Sequence, residues 1–303
     1  ATATAALGLA VAPAAALEPL GDVGENPGML DGFVLKPPAA GAVAPLVVAL
    51  HGCTQGAADF DDETGLAALA REVPFVLLLP EQREANNAQR CFNWFRDRDN
   101  RRGRGETASI MAMIDHVEAR FATDPDRVHV LGLSAGGSMT AVLMANHPDR
   151  FAGGGIVAGT PFGCNAPRGL AWPFWWASRL IFGEAGEASL ACGLFGYAEP
   201  DLEPTAWGDL VREAAGGAPA SWPLVSLWQG EADTIVNPAN QAELVEQWTN
   251  VHGIDAEADV TDSARGVGHQ AFHDAAGKPR VVAYRLDAFP HALMVELAGR
   301  PYV

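Results

Sequence analysis

The sequence predicts an α/β fold, in which helices cover a doubly wound and mostly parallel sheet. Four short apolar runs lack the alternation of half-exposed strands, so we interpret them as strands buried on both faces. Helical patterns separate these runs, and such an alternation of strands and helices is typical of a doubly wound sheet. The predicted strands are Leu46–Leu50, Phe75–Leu79, Val128–Leu133 and Leu224–Trp228.

The segments between these strands predict the helices and two long excursions. An earlier strand at Gly32–Leu35 precedes the turn-rich segment PPAAGAVAP, and we expect it to pair antiparallel at the edge of the sheet. Residues 81–106 are polar and rich in Arg and Asn, whereas residues 161–223 are rich in Gly, Pro and Trp. Long excursions usually lie over the end of the sheet that holds the functional site. The predicted helices are Asp62–Glu72, Thr107–Phe121, Ser138–Ala145 and Pro238–Val251.

Composition and charge exclude several classes of protein. The 303 residues include 20 basic and 37 acidic side chains, and the net charge of -17 argues against binding to nucleic acid or to an anionic membrane. A hydrophobic fraction of 49% with 33 Gly argues for a packed core rather than disorder or a coiled coil. The four cysteines form no CxxC pair, which argues against a zinc site and allows two disulfides in three pairings.

Residues 1–16 have the character of the tail of a secretory signal. They are small and apolar, they carry no charge, and Ala14 with Ala16 forms a pattern that a signal peptidase cuts. An Ala-rich helix packed on the domain is the alternative, and the short run interrupted by Pro13 argues against a membrane span. We expect residues 17–303 to form a single domain, because no linker composition divides them.

A candidate nucleophile stands at the end of the third predicted strand. The sequence Gly132-Leu133-Ser134-Ala135-Gly136-Gly137 joins an apolar run to a helix that starts with small residues, which is the context of a nucleophile elbow. The neighbours of Ser134 must be small, because strand and helix pass close to each other in such a turn. The amide of Ala135 at the helix N-terminus is then available to an oxyanion. A plain Gly-rich turn is the alternative interpretation.

The second oxyanion donor is expected from the turn after an earlier strand. The sequence His51-Gly52-Cys53-Thr54-Gln55 follows the first predicted strand, and the amide of Cys53 is our candidate. The alternative is an ordinary turn in which His51 caps neighbouring groups.

The other two members of a catalytic triad are expected later in the chain, in the order acid and then His. Asp233 follows the fourth predicted strand, and Glu231 in the same turn is an alternative. A carboxylate in this place orients the imidazole and stabilises its cation. His291 follows the strand KPRVVAYRL, where the base is expected, whereas His269 and His273 compete for that role from the outer strand of a hairpin.

Four tryptophans are candidate substrate-binding residues. Trp94 lies within CFNWF, and Trp172, Trp175 and Trp176 lie within or beside WPFWW of the second excursion. Flat apolar side chains pack against apolar or aromatic substrates, but they also form small cores under loops. Both interpretations stay open for the three tryptophans of the second excursion.

Five motifs, in order along the chain, resemble those of the polyhydroxybutyrate depolymerase-type esterases. They are LHGCTQ, CFNWF with RRGRGE, GLSAGG, GEADTIVNPAN, and a late strand followed by a histidine. This group has the α/β-hydrolase fold and also includes feruloyl and acetylxylan esterases. The resemblance covers nearly the whole chain. It implies a catalytic domain with a triad and two oxyanion donors and with no metal or organic cofactor; the triad is Ser134, Asp233 and His291, and the donors are the Cys53 and Ala135 amides.

The resemblance also implies two disulfides, and this chain differs from the family's usual motif at one place. Cys53 would be bonded to Cys91, and Cys164 to Cys192. The family usually has Gly-His-Ala-Trp where this chain has Pro290-His291-Ala292-Leu293, so we expect the wall of the site after the histidine to differ.

The function that the resemblance implies is that of a secreted serine esterase acting on short-chain hydroxyalkanoate esters, as polymer or oligomer. A feruloyl or acetylxylan esterase is the alternative. Three other classes of protein are weighed against this function. A secreted acyltransferase would share the triad but exclude water. A peptidase of this fold would carry an extra domain that gates the site, and a binding protein would have lost part of the triad. The expected partner is a small-molecule or polymeric ester, with no obligate protein partner. The even cysteine count fits an extracellular or periplasmic location.

Overall fold

The computed structural model describes residues 17–36, 43–166, 183–198 and 200–293. The strands in these residues are β1 (Glu18–Pro19), β2 (Asp31–Leu35), β3 (Ala44–Leu50), β4 (Val76–Glu81), β5 (Thr123–Leu133), β6 (Gly153–Val157), β7 (Leu224–Gly230), β8 (Val260–Ala264), β9 (Val267–His273) and β10 (Pro279–Leu286). They form one sheet in the order β1-β2-β4-β3-β5-β6-β7-β10-β9-β8. The central strands from β4 to β10 pair in parallel, and the strands at both edges pair antiparallel.

Helices cover both faces of this sheet. They are α1 (Ala57–Thr64), α2 (Leu66–Glu72), α3 (Gly105–Arg120), α4 (Ala135–Asn146), α5 (residues 183–191), α6 (Pro204–Ala215) and α7 (Asn240–His252). In β3, Leu46 and Val48 pack in a core with α3, α4, α6 and α7, whereas Ala49 packs in a second core with α1 and α2. Successive strand residues point to opposite faces, so the doubly wound arrangement is confirmed. None of the helices described is both long and apolar enough to span a bilayer.

Most predicted elements are present, with two corrections. The four predicted strands are β3, β4, β5 and β7, and α3, α4 and α7 lie within a turn of their predicted bounds. The predicted helix Asp62–Glu72 is wrong in extent: the helix begins at Ala57, and the left-handed backbone of Gly65, with a φ of 66°, separates α1 from α2. The antiparallel pairing of β2 is as predicted, but β1 lies outside it, so β2 is not the edge strand.

The sequence does not predict β6, because its residues GGGIV offer almost no apolar pattern. The missing side chains let α4 approach the sheet closely. A Cβ on Gly154 would lie 2.5 Å from the sulfur of Met144 in α4. The Met144 side chain therefore occupies the space that any residue larger than glycine would fill at position 154.

The second excursion contains helices that its composition does not predict. Residues 183–191 and α6 are helical, and Trp207 of α6 is fully buried. The indole N–H of Trp207 donates a hydrogen bond of 2.7 Å to Glu243 of α7, which attaches this excursion to the core. Trp172, Trp175 and Trp176 lie outside the described residues, so the interpretation of all three stays a prediction.

Two disulfides tie together the loops that lie over the carboxyl ends of the strands. Cys53, after β3, is bonded to Cys91 in the first excursion, and Cys164 is bonded to Cys192 in the second. Both pairings are those that the resemblance implies. Each bond restricts the unfolded chain by closing a loop, which stabilises the folded state by about 3 to 4 kcal/mol.

Candidate active site

Ser134 lies at the sharp turn between β5 and α4. Its backbone φ of 57° and ψ of -118° place it in a region that residues with side chains rarely adopt. The turn also needs a glycine two residues later, because a Cβ on Gly136 would lie 2.2 Å from the carbonyl oxygen of Leu50 in β3. This strained, closely packed turn has the geometry of a nucleophile elbow.

Asp233 and His291 are in direct contact at the same edge of the sheet. Asp233 follows β7 and His291 follows β10, and these two strands are parallel neighbours. The Nδ1 atom of His291 lies 2.7 Å from Oδ2 of Asp233. The Asp233 side chain is 0% exposed, whereas that of His291 is 18% exposed. One nitrogen of an accessible imidazole is thus held by a buried carboxylate.

The hydrogen bonds around Asp233 favour its ionised form. Its Oδ1 accepts the main-chain N–H groups of Ile235 and Val236 at 2.8 and 2.9 Å, and its Oδ2 also accepts Nε2 of Gln229 at 3.0 Å. Burial raises the pKa of Asp233, but the hydrogen bonds from His291 and from the two amides outweigh burial, so that the pKa is lowered. The carboxylate is therefore charged at neutral pH.

The alternative acid and bases lie away from this contact. Glu231 is 40% exposed and pairs with an arginine of β10. His269 lies within β9, beside an aspartate of β8, and His273 ends β9. The hairpin of β9 and β10 exists, as the competing interpretation expects, yet His291 contacts Asp233 instead of lying free on the surface.

Ser134 and His291 line one cavity of about 600 Å³. Cys53, Ala135 and Trp94 line the same cavity, so the structure brings these predicted residues together. Much of the remaining wall is apolar and includes Phe95, Leu194, Phe195, Ile235, Val236 and Leu293. A volume of this size is typical of small-molecule sites. Across the described parts of the chain, no three His, Cys, Asp or Glu side chains are grouped to hold a metal ion.

The main-chain amides of Cys53 and Ala135 are available as hydrogen-bond donors. Within the part of the chain that the structure describes, neither amide has an acceptor. Ala135 is the first residue of α4, where the helix leaves its amides unpaired and adds a partial positive charge. Two such amides in the cavity that a serine lines have the composition of an oxyanion hole.

A buried carboxylate behind the cavity wall is not predicted from the sequence. Glu106 is 1% exposed, and its oxygens accept the main-chain N–H of Asn93 at 2.7 Å and the side-chain amides of Asn93 and Gln82. Burial raises the pKa of Glu106 to about 7, although these hydrogen bonds oppose the shift. Because Asn93 precedes Trp94, Glu106 fixes the CFNWF loop to α3. Its only signal in the sequence is an acidic residue at the start of a helix, which usually lies in solvent.

Comparisons with known proteins agree with the motifs. The family model "Esterase PHB depolymerase" matches residues 31–169. Poly(3-hydroxyalkanoate) depolymerase C from Paucimonas lemoignei is 41% identical over 281 residues, which cover 93% of this chain and 63% of that protein. The chain therefore spans less than two thirds of the length of that depolymerase.

Other relatives are named for different esters. Feruloyl esterase B from Thermothelomyces thermophilus is 30% identical over 249 residues, which cover 82% of this chain and 79% of that protein. The solved structure of acetyl xylan esterase from Aspergillus awamori superposes on this chain with a TM-score of 0.75 at 21% sequence identity. The superposed part covers 92% of this chain and 95% of the acetyl xylan esterase chain, which shows a shared α/β-hydrolase fold. The chain therefore belongs to the PHB depolymerase family of esterases, as the motifs predict.

Proposed function

We propose that this protein is a secreted serine esterase that hydrolyses short-chain hydroxyalkanoate esters, as polyhydroxybutyrate or its oligomers. The observation that carries the proposal is the 2.7 Å contact between His291 and the buried Asp233, beside a cavity that Ser134 also lines. A histidine held in this way by a carboxylate acts as a base for a neighbouring serine. We assign residues 17–303 to the catalytic domain.

The proposed reaction passes through an acyl-enzyme. His291 donates its Nδ1 proton to Asp233 in a hydrogen bond, so its Nε2 accepts the proton of Ser134 as the serine oxygen attacks the ester carbonyl. The amides of Cys53 and Ala135 donate hydrogen bonds to the oxyanion. His291 then gives the proton to the departing alcohol, and the acyl group stays on Ser134. A water molecule, deprotonated by His291, releases the acid and restores the serine. These steps use protein groups alone, so the proposal includes no cofactor.

The substrate class is supported by one relative and by the cavity wall. The depolymerase named for poly(3-hydroxyalkanoate) is 41% identical over 93% of this chain. The aliphatic part of the wall, which includes Leu194, Ile235 and Val236, suits an uncharged, short acyl chain.

A feruloyl or acetylxylan esterase is the second candidate. Trp94 and Phe95 meet edge to face with ring centroids 5.4 Å apart, and both line the cavity. Flat aromatic faces of this kind also pack against a feruloyl ring or a sugar. The relative named feruloyl esterase B, of which this chain covers 79%, favours this candidate.

The proposal is tested by comparing purified protein on p-nitrophenyl butyrate, a polyhydroxybutyrate suspension and methyl ferulate. We expect the butyrate ester and the suspension to be cleaved and methyl ferulate to be the poorest of the three. Turnover of methyl ferulate without attack on the suspension would contradict the hydroxyalkanoate assignment and support the second candidate. Formation of a new ester instead of free acid, when an alcohol acceptor is added, would indicate an acyltransferase.

We also propose that residues 1–16 are removed during export. The two disulfides support this proposal, because such bonds persist in oxidising compartments. We expect the protein exported from a bacterial host that carries the complete gene, in the medium or the periplasm, to begin at Leu17, which N-terminal sequencing checks. Retention of the uncut chain inside the cell would contradict export.

A further inference from the structure

In the turn after β3, two side chains bind the main chain of Gly52, one at its N–H and the other at its carbonyl oxygen. The N–H of Gly52 donates a hydrogen bond to Oε1 of Gln55 at 2.7 Å, and the carbonyl oxygen of Gly52 lies 2.7 Å from Nδ1 of His51. Both polar groups of Gly52 are therefore paired with side chains. The mechanism proposed above gives no role to His51 or to Gln55.

The other nitrogen of His51 shows that Nδ1 is the donor. The main-chain N–H of Gln82 points at Nε2 of His51 over 3.0 Å, so Nε2 accepts and carries no proton. The ring proton is thus on Nδ1, which faces the carbonyl oxygen of Gly52. Burial lowers the pKa of His51 to about 4, which keeps the ring neutral at neutral pH. His51 is 1% exposed and its ring packs on Phe92, so this arrangement has little freedom to change.

The side chain of Gln55 is oriented by a second contact. Its Nε2 donates a hydrogen bond of 2.6 Å to Oε2 of Glu63, which accepts only through its carboxylate oxygens. The amide nitrogen must therefore face Glu63, and the amide oxygen must face the N–H of Gly52. Gln55 and Glu63 both line the cavity that Ser134 lines.

Holding Gly52 also determines the direction of the next amide. The peptide bond between Gly52 and Cys53 is trans and planar, so its carbonyl oxygen and its amide hydrogen point in opposite directions. With the oxygen turned to His51, the N–H of Cys53 points the other way. Cys53 lines the cavity, and its amide has no acceptor among the residues that the structure describes.

We propose that His51 and Gln55 are positioning residues, which hold the Cys53 amide ready for the oxyanion of the reacting ester. His51 holds the peptide between Gly52 and Cys53 by its carbonyl oxygen, and Gln55 holds the preceding peptide by the N–H of Gly52, so the two bonds together clamp Gly52. This inference rests on the proposed esterase function and deepens it. A donor that is oriented in advance requires no rearrangement when negative charge develops. Because the oxyanion forms only after the substrate has bound, loss of the clamp lowers kcat and leaves KM nearly unchanged.

The main test is Gln55→Leu, which removes the acceptor for the N–H of Gly52 and keeps a side chain of similar size. We expect kcat on p-nitrophenyl butyrate to fall about 30-fold and KM to stay within about threefold. Affinity for an alkyl trifluoromethyl ketone should fall by a similar factor. Ser134 adds to the carbonyl carbon of this inhibitor, and the same amides must hold the resulting oxyanion. The control is Gln270→Leu, an exposed position of β9, and it should keep wild-type values in both assays.

A pair of His51 variants tests the other half of the clamp. His51→Asn keeps an N–H donor near the place of Nδ1, whereas His51→Leu removes it. We expect His51→Asn to retain about tenfold more kcat than His51→Leu, with similar KM values. Equal losses in the two variants would show that His51 acts only by filling space.

The outcomes separate the clamp from the esterase function. A wild-type protein that neither cleaves an ester nor binds the ketone contradicts the proposed function itself. If the wild type does both, unchanged kcat in Gln55→Leu overturns the clamp. A fall in kcat without loss of ketone affinity overturns it as well, because the defect then lies outside the oxyanion site. Should thermal unfolding show that Gln55→Leu is not folded, the His51 pair decides by the same two assays.

Discussion

Replacing Ser134 by alanine is expected to lower kcat on p-nitrophenyl butyrate about a millionfold. The substitution removes the oxygen that attacks the ester and carries the acyl group. Alanine tolerates the φ of 57° no better and no worse than serine, so the turn and the two oxyanion amides should stay in place. Their binding of the substrate should leave a small residual rate above that in water. Steady-state kinetics gives the rate, and mass spectrometry shows whether an organophosphonate ester labels the protein.

The control for this variant is Ser263→Ala, which removes an exposed hydroxyl of β8. We expect its kcat to lie within about twofold of wild type, because exposed substitutions away from the cavity change little. The phosphonate should label Ser134 of this control and of the wild type, but not the alanine variant at position 134. Residual activity above about 1% of wild type, or label on another side chain, would show that Ser134 is not the nucleophile.

Asp233→Asn is expected to lower kcat about ten-thousandfold with little change in KM. The reason is that four hydrogen-bond donors surround the carboxylate: the main-chain amides of Ile235 and Val236, the side-chain amide of Gln229, and His291. The amides of Ile235 and Val236 require an acceptor at Oδ1, so the asparagine oxygen must remain there and its NH₂ group must face His291. His291 then accepts at Nδ1 and carries its proton on Nε2. In that tautomer the imidazole cannot take the proton of Ser134.

Glu231→Gln is the matched control, because Glu231 is the other acidic residue of the same turn. Its carboxylate is 40% exposed and pairs with Arg285 at 3.1 Å, and exposed pairs of this kind contribute little. We expect kcat within about threefold of wild type, measured in parallel with Asp233→Asn. Similar losses in both variants, or a loss confined to Glu231→Gln, would contradict the assignment of Asp233.

The nucleophile turn can be predicted from the sequence because all of its parts are contiguous. An apolar strand, small residues and a helix follow one another around Ser134, and no distant contact is needed to recognise them. Asp233 and His291 are 58 residues apart and have no such local pattern. Their contact depends on the parallel pairing of β7 with β10, so only chain order and the family motifs indicate it from the sequence.

Other features cannot be predicted from the sequence, because they depend on tertiary packing. Strand β6 consists largely of glycine, and its place is set by the neighbouring strands β5 and β7. Glu106 has the sequence context of an exposed helix start, yet the CFNWF loop covers it and supplies its hydrogen bonds. The clamp on Gly52 joins residues from two strand ends, so neither turn alone reveals it.

The close packing of Gly154 against Met144 connects β6 to the helix that begins directly after Ser134. A Cβ at position 154 would meet the sulfur of Met144, in the C-terminal part of α4, at 2.5 Å and the carbonyl oxygen of Val130 at 2.9 Å. The helix has 12 residues and is about 18 Å long, with Ser134 immediately before its first residue. An outward shift at Met144 would tilt the serine relative to His291, which separate strands hold. Glycine at position 154 therefore lets α4 pack at its present depth, and any larger residue there requires a shift at Met144.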